Sequence, residues 1–387
     1  MTKIERVLVV GGGVGGLTAA TAMAQRGLAV VLIDKVAAFS VPGVGLGQPA
    51  NALYVYRNLG VLADVLDGGF PYNDMYIFDH NRDLIAPHRF LMGDEKTPAV
   101  CALSRARLHD ILLAAAKDAG VEVRLGLTVS RIDESPDDVS VTFSDGKAEA
   151  FDVVAGFDGI RSAMREHVFG TVFLPRPSGF GAWRLQVPRP DVVQGMEFLQ
   201  GIGGKTGAMP LADDLMYVFH IRPEDPDAWF EKADLPHLLQ ERLAQYGSYV
   251  AEVRDSLDAS SDIVYSPLEP LLIPWPWHRG RVVLGGDAAH TFPPHLTQGA
   301  AMAAEDGLVL ADELTRQEGG STDERLHAYA RRRYPRCAFV YSFSKQWLED
   351  EQSVTSPKRL EEARAELALN ASTRIGISDR ILNEPIL

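Results

Sequence analysis

The stretch Arg6-Val7-Leu8-Val9-Val10-Gly11-Gly12-Gly13-Val14-Gly15-Gly16-Leu17, answered by Leu28-Ala29-Val30-Val31-Leu32-Ile33-Asp34, decides how this chain folds. The β-branched run before the glycines reads as a strand buried on both faces. Leu17 to Gln25 is Ala-rich with good helix formers, and Gly27 stands in the position that ends a helix. A second apolar run then ends on an acid, so the pattern is a βαβ unit. Its glycines are spaced for a purpose. Gly11 permits the tight turn, Gly13 lets the backbone approach a pyrophosphate, and Gly16 allows close helix–strand packing. Gly15 lies in the same loop, and the N–H groups at the helix start are set to bind an anion. Asp34 falls near the roughly 20-residue separation expected of a carboxylate that accepts hydrogen bonds from a ribose. These elements point to a dinucleotide without distinguishing FAD from NAD.

Composition narrows the rest. The chain has 387 residues, with 38 Lys+Arg against 52 Asp+Glu and a net charge of −14. That acidity argues against nucleic acid and against polybasic membrane attachment. Only two Cys, Cys101 and Cys337, are present, too few for a disulfide framework or a Cys-rich metal centre, so no metal is expected. No apolar run reaches the roughly 20 residues of a membrane helix. The residues after Met1 leave no room for a signal peptide, so a cytoplasmic location is expected.

Further along, Val41 to Gly47 is a second Gly-rich loop, and a helix is expected from about Pro49 to Leu66. Ser104 is a candidate N-cap for a helix to Ala119. Short strands follow to Ala155, and the segment from about Ser178 to Asp262 is less regular, with a strand at Leu215 to Ile221. Two segments then carry chemistry. Gly156-Phe157-Asp158-Gly159 follows an apolar run. Arg281-Val282-Val283-Leu284-Gly285-Gly286-Asp287 delivers an acid at the carboxyl end of a strand, where α/β folds place ligands. Pro293-Pro294 and Gln298-Gly299-Ala300 lead into a helix whose N-terminal dipole suits a developing negative charge.

In these motifs the chain resembles the FAD-dependent aromatic-ring monooxygenases of the para-hydroxybenzoate hydroxylase type, over nearly its whole length to about residue 330. The resemblance implies an α/β (mixed α+β) fold: a Rossmann-like FAD-binding domain, an inserted β-sheet substrate domain and C-terminal helices. The expected FAD-binding parts are residues 1–75, 99–177 and 269–330. Residues 76–98 and 178–268 would form the substrate domain, and 331–387 a helical end. The implied FAD contacts are Gly11, Gly13, Gly15, Gly16, Asp34, Lys35, Gly45, Arg105, Val129, Asp158, Gly286, Asp287, Gln298, Gly299 and Ala300. The chain departs from the family at Phe157, at Thr297, and at 39–42, which lacks a frequent Arg; Lys35 is the substitute.

The resemblance also implies a cycle in which NAD(P)H reduces FAD, O2 forms a flavin C4a-hydroperoxide, and a small phenol, hydroxybenzoate or hydroxypyridine is hydroxylated. Such a ring reacts best once deprotonated, so a base is expected near its hydroxyl. His295 is the candidate base or proton relay, although a loop His is often only a hydrogen-bonding residue; His290 reads as structural. Substrate-contact candidates are Arg184, Tyr217, Phe219, His220 and Pro294. Strand alternation puts Tyr217 and Phe219 on one face and His220 with Arg222 on the other, and either face is open as the pocket wall. A homodimer is a possible assembly. The competing functions are an epoxidase, reductase or halogenase on the same fold, and a nucleotide-bound regulator without turnover. No Trp-rich halogenase motif with a catalytic Lys is visible in the sequence.

Overall fold

The structure is a computed structural model, and it describes residues 4–39, 44–317 and 320–387. Val41, Pro42 and Gly43 of the second Gly-rich loop lie outside the described residues. The six-stranded sheet at the centre runs in the order His278–Arg279, Val282–Leu284, Val153–Gly156, Arg6–Val10, Ala29–Asp34 and Glu122–Leu125. All its pairings are parallel except the outermost, between His278–Arg279 and Val282–Leu284. Parallel strands need both faces covered, which is why Val7, Leu8 and Val9 are buried without alternation. Helix Val14–Gln25 packs between the sheet and helix Gly299–Thr315.

The expected helix from Pro49 to Leu66 is two helices, Ala50–Leu59 and Leu62–Asp67. The break falls at Gly60, whose φ of 82° is the left-handed conformation that ends a helix. The helix after Ser104 runs Arg105–Asp118, and the Ser104 side chain accepts from the Arg107 N–H.

The middle of the chain is more regular than its sequence suggests. A seven-stranded sheet runs in the order Val264–Pro267, Phe180–Pro188, Leu215–Pro223, Gly204–Pro210, Met196–Gly201, Asp74–Asp79 and Leu84–Arg89. Alternation along its strands divides the core in two. Met75, Ile77, Met196, Met209, Tyr217 and Phe219 join the large core shared with the parallel sheet. Phe78, Trp183, Leu199, Ala208, Met216 and Val218 turn the other way, onto helices Leu235–Arg242 and Ser248–Ser256. Two long helices, Thr322–Gln352 and Pro357–Leu382, complete the chain, and the second packs across strand Leu84–Arg89. Among the described residues, no helix is long and apolar enough to cross a membrane.

Candidate active site

The glycine loop has the geometry that phosphate approach requires. Gly11 has φ 108°, and a Cβ on Gly16 would stand 1.9 Å from the Gly11 carbonyl oxygen, so neither position tolerates a side chain. Gly13 caps helix Val14–Gln25 and faces open space. Asp34 accepts from the Gly12 N–H (2.7 Å) and the Val36 N–H (3.0 Å), one bond to each carboxylate oxygen. A carboxylate has about four acceptor positions, so two are left for ribose hydroxyls.

Asp287 is exposed beyond strand Val282–Leu284, yet desolvation by the protein around it raises its carboxyl above the usual range, against the charges of His290 and Arg105. The loop carrying Asp287 is tied down from beneath. The buried Asp306 carboxylate accepts from the Gly286 N–H (2.8 Å) and from Arg333 Nε (2.6 Å), and pairs with His290 Nε2 (2.7 Å). Burial opposes its charge, but His290 and Arg333 hold the carboxyl below its usual range. Asp158 is committed locally: its oxygens accept from the Ser162 hydroxyl and the Met164 N–H, organising the start of helix Ala163–Phe169. Arg165 then links that turn to the Asp287 loop by donating to the carbonyls of Ile160 and Ala288. Lys35 is exposed, Val129 opens strand Val129–Glu134, and Gly45 lies against Tyr217. The open glycine turn and the two acids at strand ends fit the pyrophosphate, ribose and ribityl parts of FAD.

Beyond this groove lies a cavity between the seven-stranded sheet, turn Pro294–Leu296 and the two C-terminal helices. His295, Leu296, Thr297 and Gln298 form one wall, directly before helix Gly299–Thr315, in whose first turn Ala300 sits. Gln298 is held by a reciprocal amide pair with Asn51, at 3.0 and 3.3 Å. The polar centre of the cavity was not legible as a motif. His295 Nε2 lies 3.0 Å from Glu351 Oε2, and Lys205 Nζ lies 2.6 Å from Glu351 Oε1. The three side chains are 1%, 7% and 7% exposed for His295, Glu351 and Lys205.

Burial works against the Glu351 charge, yet His295 and Lys205 together take its carboxyl down to about 2. Burial lowers His295, and Lys205 lowers it further against the opposing pull of Glu351, so the ring is neutral near pH 7. With Nε2–H donating to the Glu351 carboxylate, the neutral ring keeps its lone pair on Nδ1. That Nδ1 is buried and has no protein partner among the described residues.

The five substrate-contact candidates fall outside the lining of this cavity. His220 is on the opposite face of its strand, paired with the Thr206 hydroxyl at 2.8 Å and packed on Tyr246, because alternation sends it with Met216 and Val218. Arg184 donates to the Ser266 hydroxyl at 2.7 Å, and its charge acts on the Tyr217 hydroxyl. Phe219 packs edge-on against Phe198, which does line the cavity. Pro294 only opens the turn that presents His295. The cavity wall comes instead from neighbouring strands, through Met75, Ile77, Met196, Phe198 and Lys205.

Comparison with known proteins identifies the family. The family described as "FAD binding domain" matches residues 5–344. The YetM protein of Bacillus subtilis is 34% identical over 345 residues, covering 89% of this chain and 93% of its own. The 6-hydroxynicotinate 3-monooxygenase of Pseudomonas fluorescens is 30% identical, covering 80% and 83%. In fold, the chain is similar to Klebsiella pneumoniae HpxO crystallised with FAD and uric acid, with a TM-score of 0.86 and 23% identity over 99% of this chain and 98% of that one. The chain belongs to the FAD-binding-domain family of FAD-dependent aromatic-ring monooxygenases.

Proposed function

We propose that this protein uses NAD(P)H and O2 to hydroxylate a small electron-rich aromatic ring of the phenol, hydroxybenzoate or hydroxypyridine type. One oxygen atom enters the ring in place of hydrogen, the other leaves as water, and NAD(P)H is oxidised. Bound FAD supplies the hydride acceptance and the activation of oxygen. Gly11, Gly13, Gly16, Asp34, Arg105 and Asp287 would hold it.

The observation that carries the reading is the buried Glu351–His295 pair on the wall of a largely apolar cavity. Glu351 fixes the ring so that Nδ1 accepts, and a ring hydroxyl placed there gives up its proton to His295, enriching the ring in electrons. The apolar walls exclude water. The 2-heptyl-3-hydroxy-4(1H)-quinolone synthase of Pseudomonas aeruginosa, 31% identical over 79% of both chains, supports hydroxylated nitrogen heteroaromatics as a further class to test. The test is a screen of NAD(P)H oxidation by the flavin-loaded protein across phenols and hydroxypyridines, with product masses measured. No ligand-stimulated oxidation and no hydroxylated product would overturn the proposal.

A further inference from the structure

The cavity has an unusual charge inventory for a site that would take an aromatic acid. A carboxylate on the substrate is most strongly held by a cation with no other commitment, commonly a forked Arg. No Arg lines this cavity among the described residues. Its one ammonium, Lys205, is already closed on Glu351 at 2.6 Å and stands over the Phe198 ring at 4.9 Å. The second lining carboxylate, Asp379, is engaged with His88 Nε2 (3.1 Å) and the Leu91 N–H (2.8 Å). An incoming anion would therefore meet two carboxylates and a single neutralised cation, in surroundings where an unpaired charge is costly to bury. Most of the remaining wall is apolar, with Met75, Phe90, Met92 and Phe198 on the sheet side and Leu367 and Ile375 on the last helix; its other polar side chains, among them Tyr72, Gln200 and Ser378, carry no charge.

We propose that the cavity selects uncharged, lipophilic hydroxyaromatics, presenting one hydroxyl or ring N–H to His295 and an alkyl arm to the last helix, and discriminates against aromatic carboxylates. This rests on the monooxygenase reading of the same site and narrows its substrate class. The Lys205–Glu351 pair is then a specificity determinant: it holds a charge that would otherwise capture an acid.

The experiment compares 4-butylphenol with 3-(4-hydroxyphenyl)propanoate, two phenols of similar length that differ in the terminal carboxylate. Binding to the flavin-loaded protein is read from the change in flavin absorbance, and turnover from NAD(P)H oxidation and product mass. The expected result is a Kd lower by about tenfold or more for 4-butylphenol. In Glu351→Gln, which releases the Lys205 charge, the ratio should move toward the carboxylate by a similar factor. Equal or tighter binding of the carboxylate by the unmodified protein overturns the proposal, whatever the variant does. Preferential binding of 4-butylphenol without any hydroxylated product would support the selectivity and count against the hydroxylase reading instead. Binding of neither compound overturns the selectivity. Hydroxylation of other rings in the wider screen would then leave the hydroxylase reading standing.

Discussion

His295 Nε2 lies 3.0 Å from Glu351 Oε2, joining the turn before helix Gly299–Thr315 to the last turns of helix Thr322–Gln352. The contact orients a solitary loop histidine, with Nε2–H toward the carboxylate and Nδ1 left as acceptor, as the proposed base requires.

Replacing His295 with Ala should lower hydroxylated product by about 100-fold, the lower end of what a positioned base contributes. Flavin content should stay near that of the unmodified protein, because His295 lines the cavity beyond the glycine loop and the Asp287 strand end. Product yield and flavin absorbance on the same preparation check this. An unchanged yield would make His295 a structural residue.

The same ring sets a pH dependence. Burial and Lys205 hold His295 below its ordinary value of 6.5, and the neutral form is the one that accepts a proton. Activity should therefore be retained at pH 6.5 and fall as the pH drops through the lowered value. Lys205→Met removes one of the two causes, so the acid limb of kcat/KM should move to higher pH. A limb that does not move would show that Lys205 has no electrostatic hold on the ring.

Asp287→Ala should lose FAD affinity, as the proposed ribityl-binding role requires; full flavin occupancy would refute that role. Asp306→Asn tests the support beneath. It weakens the acceptor for the Gly286 N–H and leaves Arg333 partly uncompensated in a buried position. We expect a stability loss of about 3 kcal/mol, together with reduced flavin retention, measured by denaturant unfolding and by flavin release.

Glu351 makes a prediction about stability alone. Its carboxyl falls from an ordinary 4.5 to about 2 in the folded chain. A depressed carboxylate contributes stability that is complete above 4.5 and is lost as the pH falls through about 2. The gap between Glu351→Gln and the unmodified protein should thus narrow as the pH falls from 4.5 to 2. A gap independent of pH across that window would contradict the assignment.

The nucleotide-binding half was legible because its demands are local. Gly11, Gly13 and Gly16 answer steric requirements within one turn, and Asp34 ends the next strand. The His295–Glu351–Lys205 cluster depends on residues far apart in sequence: Lys205 and Glu351 are 146 positions apart, and His295 stands 56 before Glu351. Glu351 sits in the run Leu348-Glu349-Asp350-Glu351, which reads as a solvated helix face. One signal was available, since Ser344, Leu348 and Glu351 recur at helical spacing on the buried stripe. Lys205 offered less, because Gly204-Lys205-Thr206-Gly207 has poor strand propensity and becomes a buried strand only between its neighbours. The choice of strand face was legible, but not the choice of strand: alternation separates Tyr217 from His220, while sheet order decides that Met196 and Phe198 reach the cavity.

The central claim is ring hydroxylation by oxygen activated within this chain. The most direct measurement supplies labelled O2 to the flavin-loaded protein with NAD(P)H and a phenol that stimulates NAD(P)H oxidation, and determines the product's mass. Ring hydroxylation predicts a product carrying one labelled oxygen atom per NAD(P)H consumed. A product without the label, or NAD(P)H oxidation that yields only hydrogen peroxide with every phenol and hydroxypyridine tried, would contradict it.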